Sequence, residues 1–376
     1  MSEGRVLAIR RKGAPGRDER LMSTPLLARL MRRPELGAVA GTVGVFLFFA
    51  VIAGSGGMFS ALGVVNFLEI SAEIGILAAA VSLLMIGGEF DLSIGSTIAF
   101  TGMVLALVVT QLGWPVWAGV LAAFVAAVAI GWCNGFLVIR TGLPSFIVTL
   151  ASMFILRGAT LVSARGITGV TQVPYVTAGA EHDIAVRLLS GTTGHGLFQW
   201  MARHGWIAMR SDGQPFADGI PVSILWWIGL SALATWILLR TRFGNWIFAV
   251  GGDANAARNV GVPVARVKIA LFILTACTAT LLAVIQVLTA GSADTLRGTQ
   301  REFEAIIAAV IGGNLLTGGY GSAIGAMFGA LIFGTVSTGI FYTGVDTDWF
   351  KIFLGAMVMV AVLFNDFVRR RATGLR

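Results

Sequence analysis

Residues 116–139, VWAGVLAAFVAAVAIGWCNGFLVI, contain no charged side chain. At 1.5 Å rise per residue, such a run is long enough to cross a hydrocarbon core of about 30 Å as a helix. Runs of the same kind recur on both sides of it, at 37–55, 69–87, 92–111, 145–163, 221–239, 267–290, 304–316, 323–342 and 349–366. Together they predict about ten crossings. The composition agrees: 56% of the chain is apolar, 12% is charged and the mean hydropathy is +0.84. A soluble domain carries about 25% charged residues. Forty-nine glycines accompany the apolar excess, and glycine is more frequent in membrane helices than in soluble ones. A single soluble domain, a disordered chain, a collagen-like chain and a disulfide scaffold are thereby excluded. The fold class is all-α, a polytopic membrane protein. The run 304–316 is the shortest. It starts at Glu304 and stops before Thr317-Gly318-Gly319, which predicts a broken helix, tolerated where protein or a watery cavity surrounds it.

The charge pattern orients these runs. The net charge is +8, but nine of the 27 basic residues precede Pro34 and none lies between Arg33 and Arg140. That pattern argues against nucleic acid and for a lipid bilayer, with basic segments retained in the cytoplasm. The chain then divides into a cytoplasmic tail, 1–36, a transmembrane domain, 37–366, and a basic cytoplasmic tail, 367–376. Within the domain, 240–268 has Arg240, Arg242, Arg258, Arg266 and Lys268 against Asp253 and belongs on the cytoplasmic side. Segment 164–220 has four arginines and the acids Glu181, Asp183, Asp212 and Asp218, a balanced composition that places it outside. Trp114, Trp117, Trp226, Trp227 and Trp349 stand at run ends, as interfacial residues do. The charged N-terminal region is too long for a cleavable signal. Residues 24–33 read either as a short interfacial helix, capped by Thr24 with Leu26, Leu27, Leu30 and Met31 on one face, or as an unstructured basic tail.

The second to fifth runs and the seventh to tenth share a layout. Each group has an early acid, Glu73 or Glu304, and then a glycine pair: 87–96 is GGEFDLSIGS and 312–322 is GGNLLTGGYGS. The two groups start on the same side, which makes a parallel internal repeat separated by one crossing. Interrupted segments at corresponding places point to a translocation site. These two are expected to lie close together and to line or flank a passage, with Glu89, Phe90, Asp91, Ser93, Asn314, Leu315 and Thr317 as the candidate pathway or gate residues. Acids at membrane depth usually face a bundle interior or watery cavity. Equally, Asp91 could cap the following helix, with Ser93 and Ser96 in its first turn. Glu69 and Glu73 read as interface positions near the outer edge, and Asn134 and Gln286 as helix-packing polar groups.

Residues 242–268 read RFGNWIFAVGGDANAARNVGVPVARVK. Gly244 and Gly251-Gly252 read as helix breakers. Asp253 then caps a short helix with Ala254 to Arg258 as its body and Gly261 as its stop. It is too short and polar to span a bilayer, so it is either a docking knob for a soluble partner or a structured loop. Gly251, Asp253, Ala256, Ala257, Arg258 and Gly261 are the candidate coupling residues. The three lysines, Lys12, Lys268 and Lys351, do not follow glycine, so a phosphate-cradling G-x-x-x-x-G-K-[ST] loop is absent. Nor is there a nucleophile elbow or an H-E-x-x-H pair. Cys133, Cys277, His182, His195 and His204 have no metal-ligand spacing. The reading is of a transport subunit, not an enzyme, with no cofactor and no metal.

The blocks GGEFDLSIGS (87–96), FGNWIFAVGGDANAARNVGVPVARVK (243–268) and EAIIAAVIGGNLLTGGYGSAIGAMFGALI (304–332) occur together in this order. In them the chain resembles the permease subunits of bacterial monosaccharide ABC importers, of the ribose, xylose, arabinose and galactose type, over nearly all of 37–366. The resemblance implies a pathway formed with a second permease copy, a cytoplasmic ATPase with two fused nucleotide-binding domains, and a periplasmic sugar-binding protein. It also implies a multi-pass protein of the inner membrane, with 242–268 as the loop that contacts the ATPase and 164–220 as the region that meets the binding protein. The family more often has Asn in place of Asp253 and a Pro-Glu pair in place of Ala254-Asn255. A permease of the same superfamily for nucleosides or branched-chain amino acids is the nearest alternative. A secondary transporter would need an intramembrane coupling acid or a lined filter; only Glu89 and Asp91 could serve, and both stand at the edge of an expected crossing.

Overall fold

In the computed structural model, residues 34–53, 56–180, 183–211, 213–346, 349–350, 352–357 and 359 are described. The expected interfacial helix at 24–33, the tail at 367–376, most of the last run at 349–366 and residues Glu181, His182 and Asp212 lie outside them. The chain is mostly helical, and among the described residues seven helices are long and apolar enough to cross a membrane.

The helices in chain order are α1 (Pro34–Ile52), α2 (Ala61–Ile86), α3 (Ile94–Thr110), α4 (Val116–Thr141) and α5 (Ser145–Thr168). After them come α6 (Ile184–Ser190), α7 (His195–Arg203), α8 (Val222–Arg240), α9 (Arg242–Gly252) and α10 (Ala254–Asn259). Then come α11 (Val264–Ala290), α12 (Arg301–Ile311) and α13 (Ala323–Tyr342); residues 349–350 and 352–357 are helical as well. Local chemistry sets their ends. Ser60 and Ser322 cap α2 and α13, accepting hydrogen bonds from Gly63 N and Gly325 N, each at 3.2 Å. Prolines 115, 144 and 263 precede α4, α5 and α11, where a missing N–H costs nothing. Gly142 and Gly169 end α4 and α5 at φ of 69° and 78°, the left-handed cap that glycine adopts without strain.

The expected crossings at 116–139, 145–163, 221–239, 267–290 and 323–342 match α4, α5, α8, α11 and α13 to within a few residues. The second is longer than its apolar run, because α2 starts at Ala61. The third, α3, has 17 residues and falls short of a full span. The eighth is α12, an 11-residue helix that stops at Ile311 and gives way to the loop 312–322.

The core is built around α2 and α11, which are buried along most of their length, as is much of α13. Helix α2 packs against α8, α11, α12 and α13; α11 packs against α3 and α4; α1 lies on α13. Small residues let the backbones meet. Gly119, Ala123, Ala127, Gly131 and Gly135 form the buried stripe of α4. A Cβ on Gly131 would stand 2.6 Å from Ile273 Cα on α11, and one on Gly135 would stand 2.8 Å from Ile269 Cα. Close small-residue contact is how helices associate where burial against lipid gives no hydrophobic gain. The other faces of α4 and α5 expose Leu121, Val125, Val128, Phe154, Ile155 and Val162, as lipid-facing surfaces do.

Segment 164–220 is structured. Strand β1 (Gln172–Val173) pairs antiparallel with β4 (Ala293–Asp294), and β2 (Thr192–Thr193) pairs with β3 (Ile220–Pro221). Phe198, Ala202, Ile207 and Ala217 form a small apolar cluster that rests on Ala61 and Val65 at the start of α2. Trp226 Nε1 donates to Leu188 O at 3.2 Å. This segment thus meets the start of α2, while Ala257 of α10 clusters with Ile86 at the end of α2 and with Val264 and Val267 at the start of α11, so the two sit at opposite ends of the helices.

Candidate functional site

The two glycine-rich interruptions close with the same backbone turn. At the end of α2, Gly87 N, Gly88 N and Glu89 N donate to Leu83 O, Met85 O and Leu84 O at 3.0, 2.9 and 3.1 Å. At the end of α12, Gly312 N, Gly313 N and Asn314 N donate to Ala308 O, Val310 O and Ala309 O at 3.0, 2.9 and 3.1 Å. Gly88 and Gly313 take φ of 81° and 90°, a region that favours glycine. In each case a polar side chain then accepts from the serine that starts the next helix. Asp91 Oδ1 accepts from Ser93 N at 2.8 Å, and Asn314 Oδ1 accepts from Ser322 N at 2.8 Å.

After Gly88 the chain climbs beside α11. Glu89 pairs with Lys268 in the first turns of α11, while Asp91 Oδ2 accepts from Thr275 Oγ1 at 3.3 Å, two turns or about 10 Å further along. Helices α4 and α5 hold this ascending strand. Phe90 N donates to Ser145 Oγ and Leu92 N to Thr149 Oγ1, both at 3.0 Å. Asn134 Nδ2 donates to Ser93 Oγ at 3.0 Å, and Ser93 Oγ donates to Asp91 Oδ1 at 2.5 Å. Asp91 is 3% exposed, and its hydrogen bonds offset the cost of burying an acid. The cap expected at Asp91 belongs to Ser93, which precedes α3 without a side-chain bond to it; Asp91 instead fixes Ser93 in place. Asn134 is an interhelical packing group, as its type within a span predicts.

In the second interruption Asn314 is fully buried and its Nδ2 donates to Ala309 O at 2.9 Å. Leu315 is half-buried, while Thr317 is exposed. Ser322 Oγ donates to Glu35 Oε1 on α1 at 3.1 Å.

These two loops and the 240–268 segment meet at one glycine junction. Gly319 N donates to Ile86 O at 2.8 Å. A Cβ on Gly318 would stand 2.8 Å from Gly88 Cα and 2.9 Å from Gly251 O, and one on Gly319 would stand 2.9 Å from Gly252 Cα. Of the glycines expected to break a helix, Gly251-Gly252 does end α9, whereas Gly244 lies within its first turn. Gly244 and Gly251 serve close approach: a Cβ on Gly244 would run into the carbonyls of Ile237 and Leu238, and one on Gly251 into Ile86 O.

Beyond the junction, Asp253 caps α10, with Oδ1 accepting from Asn255 N at 2.8 Å and Ala256 N at 3.0 Å. Gly261, at φ 86°, follows its end. Ala256, Arg258 and Val260 are exposed, but Ala257 is 4% exposed and packs in the chain's own cluster with Val264 and Val267. The small face expected at Ala256 and Ala257 is thus divided, because their successive side chains point about 100° apart on a helix. The outward surface is Ala256, Arg258 and Val260.

Toward the opposite end, the early acids of both groups converge on one cation, Arg301, which no motif in the sequence marks. Arg301 Nη2 donates to Glu73 Oε2 at 2.7 Å, and its Nη1 donates to Glu304 Oε2 at 2.9 Å. An arginine three residues ahead of a glutamate at a helix start was the available signal.

Residues 63–362 match the family described as branched-chain amino acid transport system / permease component. The xylose transport system permease protein of Escherichia coli K12 is 32% identical over 367 residues, covering 89% of this chain and 92% of that protein. The ribose import permease protein of the same strain is 33% identical over 304 residues, covering 80% and 84%. The fructose import permease protein of Rhizobium meliloti is 30% identical over 324 residues, covering 86% and 83%. No solved structure matches the chain. A match over residues 63–362, which include both interrupted helices, shows that the chain belongs to the branched-chain amino acid transport system / permease component family, the membrane subunits of ABC transporters.

Proposed function

We propose that this chain is the membrane-spanning subunit of an ABC importer that carries a monosaccharide inward across a bacterial inner membrane. A separate ATPase chain, with two fused nucleotide-binding domains, powers it, and a periplasmic binding protein delivers the sugar. Relatives named for xylose, ribose and fructose support the substrate class. The carrying observation is the junction of Gly88, Gly251, Gly318 and Gly319. It links both interrupted helices to the segment that presents α10. A push on α10 from an ATPase reaches the two loops through backbone contacts, and packed cores transmit such shifts as switches between discrete arrangements. Glu89, Phe90, Asp91 and Ser93 then move as a hydrogen-bonded unit, opposite Asn314, Leu315 and Thr317.

The finer architecture completes this reading. There are ten crossings, with α12 and the loop before α3 as broken elements, and a parallel repeat whose clearest trace is the matching pair of closing turns. Two copies of the chain form the pathway through an isologous interface. Both termini and 240–268 are cytoplasmic, and 164–220 is external.

The decisive experiment is uptake into proteoliposomes containing this chain and the ATPase encoded beside it. Accumulation of a labelled monosaccharide is expected to require ATP inside and the loaded binding protein outside. Uptake driven by an ion gradient without the ATPase would replace this reading with secondary transport. The orientation is checked separately by labelling. In a variant with Cys133 and Cys277 replaced by Ala, Arg203→Cys is expected to react with an impermeant maleimide added to spheroplasts, and Asn255→Cys only after permeabilisation. The reverse pattern would invert the topology.

A further inference from the structure

A second polar site lies nearer the 164–220 end, apart from the glycine junction. A cavity of about 390 Å³ opens between α2, α8, α11 and the start of α12. Glu69 and Glu73 of α2, Ser223 of α8, Gln286 of α11, Arg297 and Arg301 line it, with Ile285 and Ala290 as apolar walls. Its size falls within the range of small-molecule sites.

Three of these residues each carry a buried polar atom with no hydrogen-bond partner among the described residues: Ser223 Oγ, Gln286 Oε1 and Arg297 Nε. Ser223 is 4% exposed, so its hydroxyl cannot reach bulk water. Meanwhile the surrounding groups are fixed. Arg297 Nη1 and Nη2 donate to Gln286 O and Ser292 O, both at 3.0 Å, which leaves Nε turned to other use. Arg301 is held between Glu73 and Glu304.

The chemistry of the three atoms is mixed. Arg297 Nε–H donates, Gln286 Oε1 accepts and the Ser223 hydroxyl does both. A carboxylate or phosphate would answer the donor and leave the amide oxygen facing an anion. A cation would do the reverse. A hydroxyl donates and accepts at once, so adjacent hydroxyls on one carbon chain satisfy all three. The charges agree: the lining sets Glu69 and Glu73 against Arg297 and Arg301, and Arg301 is already shared with Glu304, so a charged ligand would have to break these pairs or enter the protein interior uncompensated. The apolar walls suit the C–H edge of such a molecule.

We propose that the Glu69/Glu73/Ser223/Gln286/Arg297/Arg301 cavity binds a neutral polyhydroxylated small molecule, a free monosaccharide, as a waypoint on the 164–220 side. The proposal rests on the transport reading only for the substrate class. The fixed arginines and the amide make the site discriminate neutral sugars from sugar acids and amino sugars, and its few hydrogen bonds make it weak enough to release its ligand.

Ligand-observed saturation-transfer NMR on the full chain in lipid nanodiscs tests this without ATP or partners. The probes are D-xylose, D-ribose and D-fructose, with D-glucuronate and D-glucosamine as charged comparisons. At least one neutral probe should give a saturable signal with a millimolar Kd, and the charged probes at least tenfold weaker signals. Gln286→Leu should weaken the neutral sugar about fivefold and Ser223→Ala about threefold, each a loss on the scale of one hydrogen bond. Ser163→Ala, whose hydroxyl donates to Thr160 O on α5, should change nothing. If Gln286→Leu fails to reach the membrane, Ser223→Ala decides alone. The proposal is overturned if no neutral probe saturates, if both cavity variants bind like the parent, or if a charged sugar binds as tightly. The transport reading fails independently: binding that persists when ATP-driven uptake is absent refutes the importer and leaves the site, while uptake without binding refutes the site alone.

Discussion

Gly251→Val is expected to abolish ATP-driven uptake, whereas Gly252→Ala next to it keeps uptake within twofold of the parent. Both glycines lie in the last turn of α9, and composition alone treats them as equivalent. Their surroundings differ. A Cβ on Gly251 would overlap Ile86 O and stand 2.7 Å from Gly319 N, while one on Gly252 would meet nothing within 4 Å. The obstacles at Gly251 are backbone atoms, which cannot swing aside as a side-chain end can. Valine there must push α9 off α2 and separate Gly319 N from Ile86 O. Overpacking of this kind costs about 1–3 kcal/mol, and here it acts on the contact through which α10 is linked to both interrupted helices. At Gly252, alanine replaces glycine in a helix, a change worth about 0.5–1 kcal/mol in favour of the helix. The checks are uptake in proteoliposomes and the thermal midpoint of the detergent-solubilised protein. A lowered midpoint with lost uptake for Gly251→Val alone is the expected result. Equal behaviour of the two variants would mean that the glycine junction carries no mechanical role.

What the sequence reveals of this site follows from the range of each interaction. Apolar runs such as 116–139 and 323–342 are legible because every residue reports the same environment, lipid or protein interior. The glycine pairs at 87–88 and 312–313 are legible as turns because the left-handed φ at Gly88 and Gly313 is a local demand. The short helix after Asp253 is legible for the same reason, since the cap bonds reach only two and three residues ahead. Gly251-Gly252 is legible as a break, since α9 ends at Gly252, but Gly244 is misread as one, because close approach of α9 to the backbone of α8 is a tertiary fact and the same residue type serves both purposes. The Lys268–Glu89 pair spans 179 positions and Arg301–Glu73 spans 228. No periodicity announces such partners. Asp91 shows the boundary: the sequence leaves an interior position and a helix cap equally open, and its bonds to Ser93 and Thr275 depend on the ascent of 88–93 along α11. Asn134 was placed correctly in kind because an amide within a membrane helix has few alternatives to a neighbouring helix.

The last test separates docking from folding at α10. Val260→Asp and Arg258→Glu are each expected to reduce co-purification of the ATPase at least tenfold, about 1.4 kcal/mol, with normal amounts of the permease in the membrane. Val260 is 80% exposed and directly follows α10. An apolar side chain held in the open beside Arg258 has the character of an interface anchor, where a few residues supply most of the binding energy. Arg258 is expected to make a charge-assisted contact to a partner acid, and reversing its sign would turn attraction into repulsion. Ala257→Trp gives the contrasting outcome. Its side chain faces Val264 and Val267, so an indole there must displace the start of α11, and the amount of folded permease falls before any partner is involved. Quantifying membrane-inserted permease and bound ATPase in the same preparations distinguishes the two defects. If Val260→Asp and Arg258→Glu retain the ATPase, α10 is not the docking element, and the Arg140 loop between α4 and α5 becomes the next surface to vary. If all three variants lose permease to the same extent, α10 acts in folding, and the glycine junction would need another source of motion.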